Sequence, residues 1–519
     1  MKTNKFLVPT IFILLLFSAH LFAQSGGEGD LRLGYINIDE DGNRSISHSS
    51  FNYYDGPAVS IENFRYRFNN GFNVKSNLEN INLDNRNLYF GFGKTGIFGA
   101  DVNTNRYRRI YDFEGDSNTK RDHTSANIWF NPNRHVKVFA SGKFISVDGE
   151  VEDAFAPGLN SITRELDYLS SQYGAGIRIK HQGRMFHAEY NTVSFADQLD
   201  DMKDRSSNRY RLIGYLPVPD FEWLVLSGLL QRFTTEFDDT EFGFKSTTAR
   251  GGALVHTPWD ITLNYITMFN RAESDSDFVA TDNVSNLIYA SYMKPRTFGI
   301  TAGYQNDVND DFEDQVKANS YYFSGWLKPR SYLELNAEYG SRAEEVEEGL
   351  RLTGNEDKSR VKAFAKYSRS GMGWFKAGFE NRMRKNDDIE SEVDFNRYHF
   401  DIYVDDLTLC SLGGGYSYSK GEYENSESRF EYSSNQVYVN VNTMEYRGFI
   451  GGFNLAYFRN KLDLDEESIN MTFRGSYRFL GGNRAELIYR VFNFDNLMLL
   501  DHYYTENIIE FNLIKSFSF

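Results

Sequence analysis

Clusters of turn-forming residues recur along this chain at near-even intervals. They are Gly93–Gly96, Asn131-Pro132-Asn133, Gln182-Gly183, Pro217/Pro219, Pro258, Pro295, Pro329, Ser370-Gly371, Asp405-Asp406, Met444-Glu445 and Gly481-Gly482-Asn483. The steps are 34 to 41 residues, with one of 50, and the last ends at Phe519. Six of the nine prolines lie in these clusters, where proline stops a strand without costing a ladder bond. The flanks alternate with period two. Leu333, Leu335, Ala337 and Tyr339 oppose Glu334, Asn336 and Glu338, and Val361, Ala363, Ala365 and Tyr367 oppose Lys362 and Lys366. Each period therefore reads as one hairpin of two long strands. A propeller blade would divide it into four short strands, and propellers stop at about 8 blades. With a further pair at Gly71–Ile81 and Arg86–Phe92, the expectation is all-β: a single large antiparallel up-and-down barrel over residues 71–519, of about 24 strands within a range of about 22–26.

The two ends give this barrel an address. Lys2 and Lys5 precede an apolar run, Phe6–Phe17, and Leu21-Phe22-Ala23 offers a cleavage site, so residues 1–23 read as a secretory signal peptide. Residues 24–70 are polar, with one strand-like piece at Leu31–Ile38, and read as an N-terminal periplasmic or lumenal segment. The final residues alternate again: Ile509, Phe511, Leu513, Lys515, Phe517 and Phe519 share one face. This resembles the closing strand of bacterial outer-membrane barrels, which implies that Phe511, Leu513, Phe517 and Phe519 form the signal read by the barrel-assembly machinery. Mean hydropathy is -0.53, which a barrel tolerates because lumen-facing residues dilute the lipid-facing ones. Aromatic residues make up 16% of the chain, with 44 Phe and 34 Tyr, enough for girdles at both interfaces of an outer membrane. Outer-membrane lipid and lipopolysaccharide are the surroundings such a surface implies.

Acidic runs fall near the midpoints between turn clusters, for example Asp307 to Asp314, Glu344 to Glu348 and Asp387 to Glu392, whereas the turns lean basic or neutral. Short turns thus gather at one end and longer acidic loops at the other. The net charge of -16 argues against nucleic acid as a partner.

No catalytic, cofactor-binding or metal-binding residue stands out. Gly91-Phe92-Gly93-Lys94-Thr95-Gly96 matches a glycine-rich phosphate motif, but no helical pattern follows, so it reads as strand–turn–strand. Asn37-x-Asp39-x-Asp41-Gly42 resembles the first half of a calcium loop, but His48 stands where the bidentate glutamate belongs, so it reads as a polar turn. Cys410 is the single cysteine and the histidines are scattered without ligand spacing. The chain reads as a non-enzyme. Strand parity makes Glu334, Glu338, Lys362 and Lys366 lumen-facing candidates.

Barrels of about 16–18 strands leave a water channel, and those of about 22 strands carry a plug. Filling a still wider lumen takes a domain of roughly 100 residues, more than residues 24–70 supply. Either loops fold inward or another protein occupies the space. The repeat architecture, the strand count and the aromatic–acidic–glycine stretch Phe51-Asn52-Tyr53-Tyr54-Asp55-Gly56 resemble the MtrB/PioB barrels of porin–cytochrome electron conduits. That resemblance implies a multihaem c-type cytochrome in the lumen and a role in electron transfer across the outer membrane. No CxxCH is present, so haem would come only through the partner. A general or solute-selective diffusion porin narrowed by its own loops is the other expectation.

Overall fold

In the computed structural model the described residues are 26–46, 52–112, 114–153, 162–238, 242–275, 280–311, 314–348, 356–461, 465–479, 482–498 and 502–518. The signal-peptide reading of 1–23, and Phe519, lie outside them. The described residues form 26 strands, β1–β26 in chain order, and include a 3-10 turn, Asp201–Lys203. Every strand pairs antiparallel with its chain neighbours, and β1 (Gly26–Gly42) pairs with β26 (Tyr503–Ser518), from Glu28 opposite Ser518 to Gly42 opposite Tyr504. The sheet has no free edge. It is a closed up-and-down barrel.

The strands expected from Gly71 onward are all present, beginning with β3 (Phe72–Glu79) and β4 (Asn87–Lys94). The expectation for residues 24–70 is corrected. They are not a segment apart from the barrel, because β1 and β2 (Gly56–Arg67) stand in the wall. Two local features hide them. Ile36 and Ile38 face inward against Tyr53 and Leu83 of the loops, so β1 is apolar on both sides and loses its alternation. In β2 a bulge at Asn63, with φ +55°, shifts the register between Asp30↔Glu62 and Glu28↔Arg65 and breaks the period of two. The polar turn expected at Asn37–Gly42 is the upper part of β1, whereas the Gly91–Gly96 stretch is strand, turn and strand as expected.

All the turn clusters lie at one end. Gln182-Gly183, with φ of +48° and +78°, is a two-residue turn whose twist matches the flanking strands. The described acidic stretches Glu344–Glu348 and Asp387–Glu392 lie at the other end. Strands such as β8 (Ile162–His181) and β26 exceed the roughly 9–11 residues a bilayer requires, so their loop-side ends project beyond it.

On β26 the two faces are resolved by exposure. Ile509, Phe511 and Leu513 are 46, 45 and 45% exposed, and Glu510, Asn512 and Ile514 between them are buried. The outward face is apolar and suited to lipid. The inward face of the β1–β26 seam is a polar clasp. Arg32 Nε donates to Asn512 Oδ1 at 2.8 Å, and its guanidinium pairs with Glu62 at 3.1 Å and with Glu510. Ser516 Oγ donates to Asp30 at 2.6 Å, and the Tyr504 hydroxyl donates to Glu40 at 2.9 Å.

Replacing Arg32 with Leu strands Glu62 and Glu510 without their cation, at a cost on the order of 3 kcal/mol for the nearly buried pair. The heat-modified electrophoretic mobility of the folded barrel is expected to convert at a lower temperature in Arg32→Leu than in wild type. Phe511→Arg, on the lipid face, is expected to cost about 2–4 kcal/mol if it sits near the bilayer midplane. Urea titration in lipid vesicles should show that loss, and Asn512→Arg, on the inward face, should respond differently.

Candidate functional site: the inner wall

A barrel of 26 strands spaced about 4.8 Å apart and tilted about 40° has a backbone diameter of roughly 50 Å if circular. The accessible surface is 32202 Å², against about 19,000 Å² for a compact chain of this mass. A one-sheet wall exposed on both sides contributes to the excess. The inner wall is therefore the candidate functional surface, and among the described residues no plug domain covers it.

The sequence-derived candidates meet there. On β17 (Leu333–Glu348) and β18 (Glu356–Arg369), Glu334 lies opposite Lys366 and Glu338 opposite Lys362. The four share the face opposite Leu335 and Tyr339, which are exposed. Glu334 takes Lys328 at 2.9 Å, and the Lys366 ammonium lies 5.0 Å from the Trp374 ring.

The register adds residues that the sequence reading missed. On β18 and β19 (Gly373–Asn386), Lys358 lies opposite Arg384, Arg360 opposite Arg382, and Lys366 opposite Lys376. Like charges placed directly opposite are destabilising. Two carboxylates mitigate this: Glu380 accepts from Arg360 Nε at 2.9 Å and Arg382 Nε at 2.7 Å, and Glu356 pairs with both Lys358 and Arg384. Four cations thus share two acids, and the hairpin shows a positive surface to the lumen. The signal was present as the period-two run Lys358-x-Arg360-x-Lys362, but its partners on β19 become visible only with the pairing.

A second feature lies where β3 and β4, eight residues each, leave the wall low. Asn52, Tyr53 and Tyr54, ahead of β2, pack across it. Asn52 Oδ1 accepts from the Arg108 backbone at 2.7 Å, and Asn85 donates to the Asn52 carbonyl at 2.6 Å. Arg108 stacks 4.5 Å from the Tyr54 ring and Arg490 4.9 Å from that of Tyr53. Burial pushes the Tyr54 hydroxyl up. Below the loop, at the short-turn end, is a cavity of about 1210 Å³ lined by Arg65, Arg67, Lys75, Gly91, Gly93 and Trp129 among others. Among the described residues no group of three His, Cys, Asp or Glu side chains is arranged to hold a metal ion.

No family model matches the chain, and no curated protein matches it by sequence. Solved structures do share its fold. The siderophore receptor PirA from Pseudomonas aeruginosa aligns with a TM-score of 0.53 at 9% identity, over 82% of this chain and 80% of that one. The FrpB iron transporter (F3-3 variant) from Neisseria meningitidis gives 0.51 at 8% identity, over 95% and 81%. The ferripyoverdine receptor of the Pseudomonas aeruginosa outer membrane gives 0.50 at 8% identity, over 95% and 72%. At these identities the likeness is one of fold. With its closed sheet and apolar outward face, the chain is an outer-membrane β-barrel of the Gram-negative type.

Proposed function

We propose that this barrel is a sheath whose lumen houses a periplasmic protein partner, with a multihaem c-type cytochrome as the occupant in trans-outer-membrane electron transfer. The girth of 26 strands carries the reading, since the described residues leave that width unfilled. A bare pore of roughly 50 Å would abolish the membrane's barrier. A sheath needs closure and a polar inner wall, and the chain supplies both. In this role it binds no haem and catalyses no reaction; the redox chemistry belongs to the partner. Assembly proceeds through the barrel-assembly machinery acting on Phe511, Leu513, Phe517 and Phe519.

One observation favours the second reading, a solute porin. Tyr53 and Leu83 fold inward against Ile36, Ala58 and Ile508, as loops that narrow a pore do.

The chain purified from its native membrane in mild detergent should co-elute with a haem Soret band, lost on dissociation of the partner. Absence of haem, together with steady and solute-dependent single-channel conductance of the native preparation, would contradict the sheath and favour the porin.

A further inference from the structure

On β8, β9 (Arg184–Asp197) and β10 (Arg205–Val218), the register places three arginines on the same stretch of wall as a single carboxylate. Arg211 lies opposite Glu189, Arg209 opposite Asn191, and Arg178 opposite His187. All face the lumen, since Tyr190, Tyr210 and Leu212, of the other parity, are exposed outward. Glu189 is the one carboxylate on the inward face in the middle of these strands. It is heavily used: it accepts from Asn191 at 2.6 Å and lies 3.1 Å from His187 Nε2 and 3.8 Å from Arg209. On β7 (Val136–Asp153), Lys137 stands directly opposite Arg178 as a further like-charge pair, with its ammonium 5.1 Å from the Trp129 ring.

Three guanidinium groups against one carboxylate leave cationic donors in excess on this stretch of wall. The Nε atoms of Arg178, Arg209 and Arg211 are buried and have no acceptor among the described residues. His187 is 5% exposed and its ring stacks on Phe139 at 5.5 Å; its Nε2 engages Glu189 and its Nδ1 is buried without a partner. Leaving such groups unsatisfied is costly, and a planar guanidinium matches the oxygens of an oxyanion. Glycines on β8 make room for the arrangement. A Cβ at Gly176 would come within 2.4 Å of the Phe139 ring, and one at Gly174 within 2.2 Å of Asn191 Oδ1.

We infer that Arg178, Arg209 and Arg211 on the inner wall form a binding site for a small free oxyanion of the phosphate or carboxylate class. Lipid headgroups do not reach this face, and the site is built whichever occupant the lumen has. It does not rest on the sheath reading.

The test is calorimetric titration of inorganic phosphate into the full-length chain, refolded in detergent without a partner. Wild type should bind phosphate saturably at millimolar concentration or below, and Arg209→Gln/Arg211→Gln should weaken binding by about tenfold or more. Arg250→Gln, on the same inner wall but outside the cluster, should bind as wild type does. Heat-modified mobility verifies folding of each variant, and Arg178→Gln serves if the double variant does not fold. No saturable binding by wild type, or equal weakening by Arg250→Gln, would overturn the site. So would unchanged binding by a folded cluster variant.

Discussion

Every backbone N–H and C=O that meets lipid must find a partner within the protein, and this requirement governs the whole structure. An open sheet would leave two rows of such groups facing hydrocarbon. The ladder between β1 and β26 removes both rows at once, over the full length from Glu28 to Gly42. The clasp around Arg32 and Asn512 lies on the inner side of that seam, where each charge has an opposite partner, and Leu33, Leu513 and Phe511 lie on the side given to lipid. Closure also sets the girth, because each added strand widens the cylinder. The lumen, and any function it serves, follows from how many strands the ladder joins.

Much of this was legible in the sequence because barrel strands are locally specified. A strand with lipid on one side and water on the other must alternate, and the closing strand does so from Ile509 to Leu513. The parity that set Glu334 and Glu338 against Leu335 and Tyr339 needed no knowledge of neighbours. β1 and β2 were illegible for the converse reason: loop packing on Ile36 and Ile38, and the bulge at Asn63, make their pattern depend on residues distant in sequence.

The inner-wall sites were legible only in part. Lys362 and Lys366 could be placed by parity, but the confrontation of Lys358 with Arg384 is a matter of register between strands, which composition does not reveal. Likewise Arg178, Arg209 and Arg211 lie on strands separated by β9, and nothing in the linear order joins them. The pairing also sorts the charge. A chain with a net charge of -16 carries acid in its long loops, while the β8–β10 and β18–β19 stretches of the inner wall are cationic. The rim and these stretches of the inner wall thus present opposite fields to anything that enters.

The claim on which all of this depends is that β1 closes against β26 in the observed register. It is tested by disulfide trapping in a Cys410→Ser background, with cysteines at Leu33 and Leu513 on the outer face or at Ile38 and Ile508 on the inner face; both are directly opposite pairs. The account predicts that at least one pair oxidises rapidly within a single chain and yields a covalently closed species of altered mobility under denaturing, non-reducing conditions. If a folded, membrane-inserted barrel forms neither crosslink, while a cysteine at Leu513 joins one on β3 instead, the seam lies elsewhere and the 26-strand cylinder is wrong.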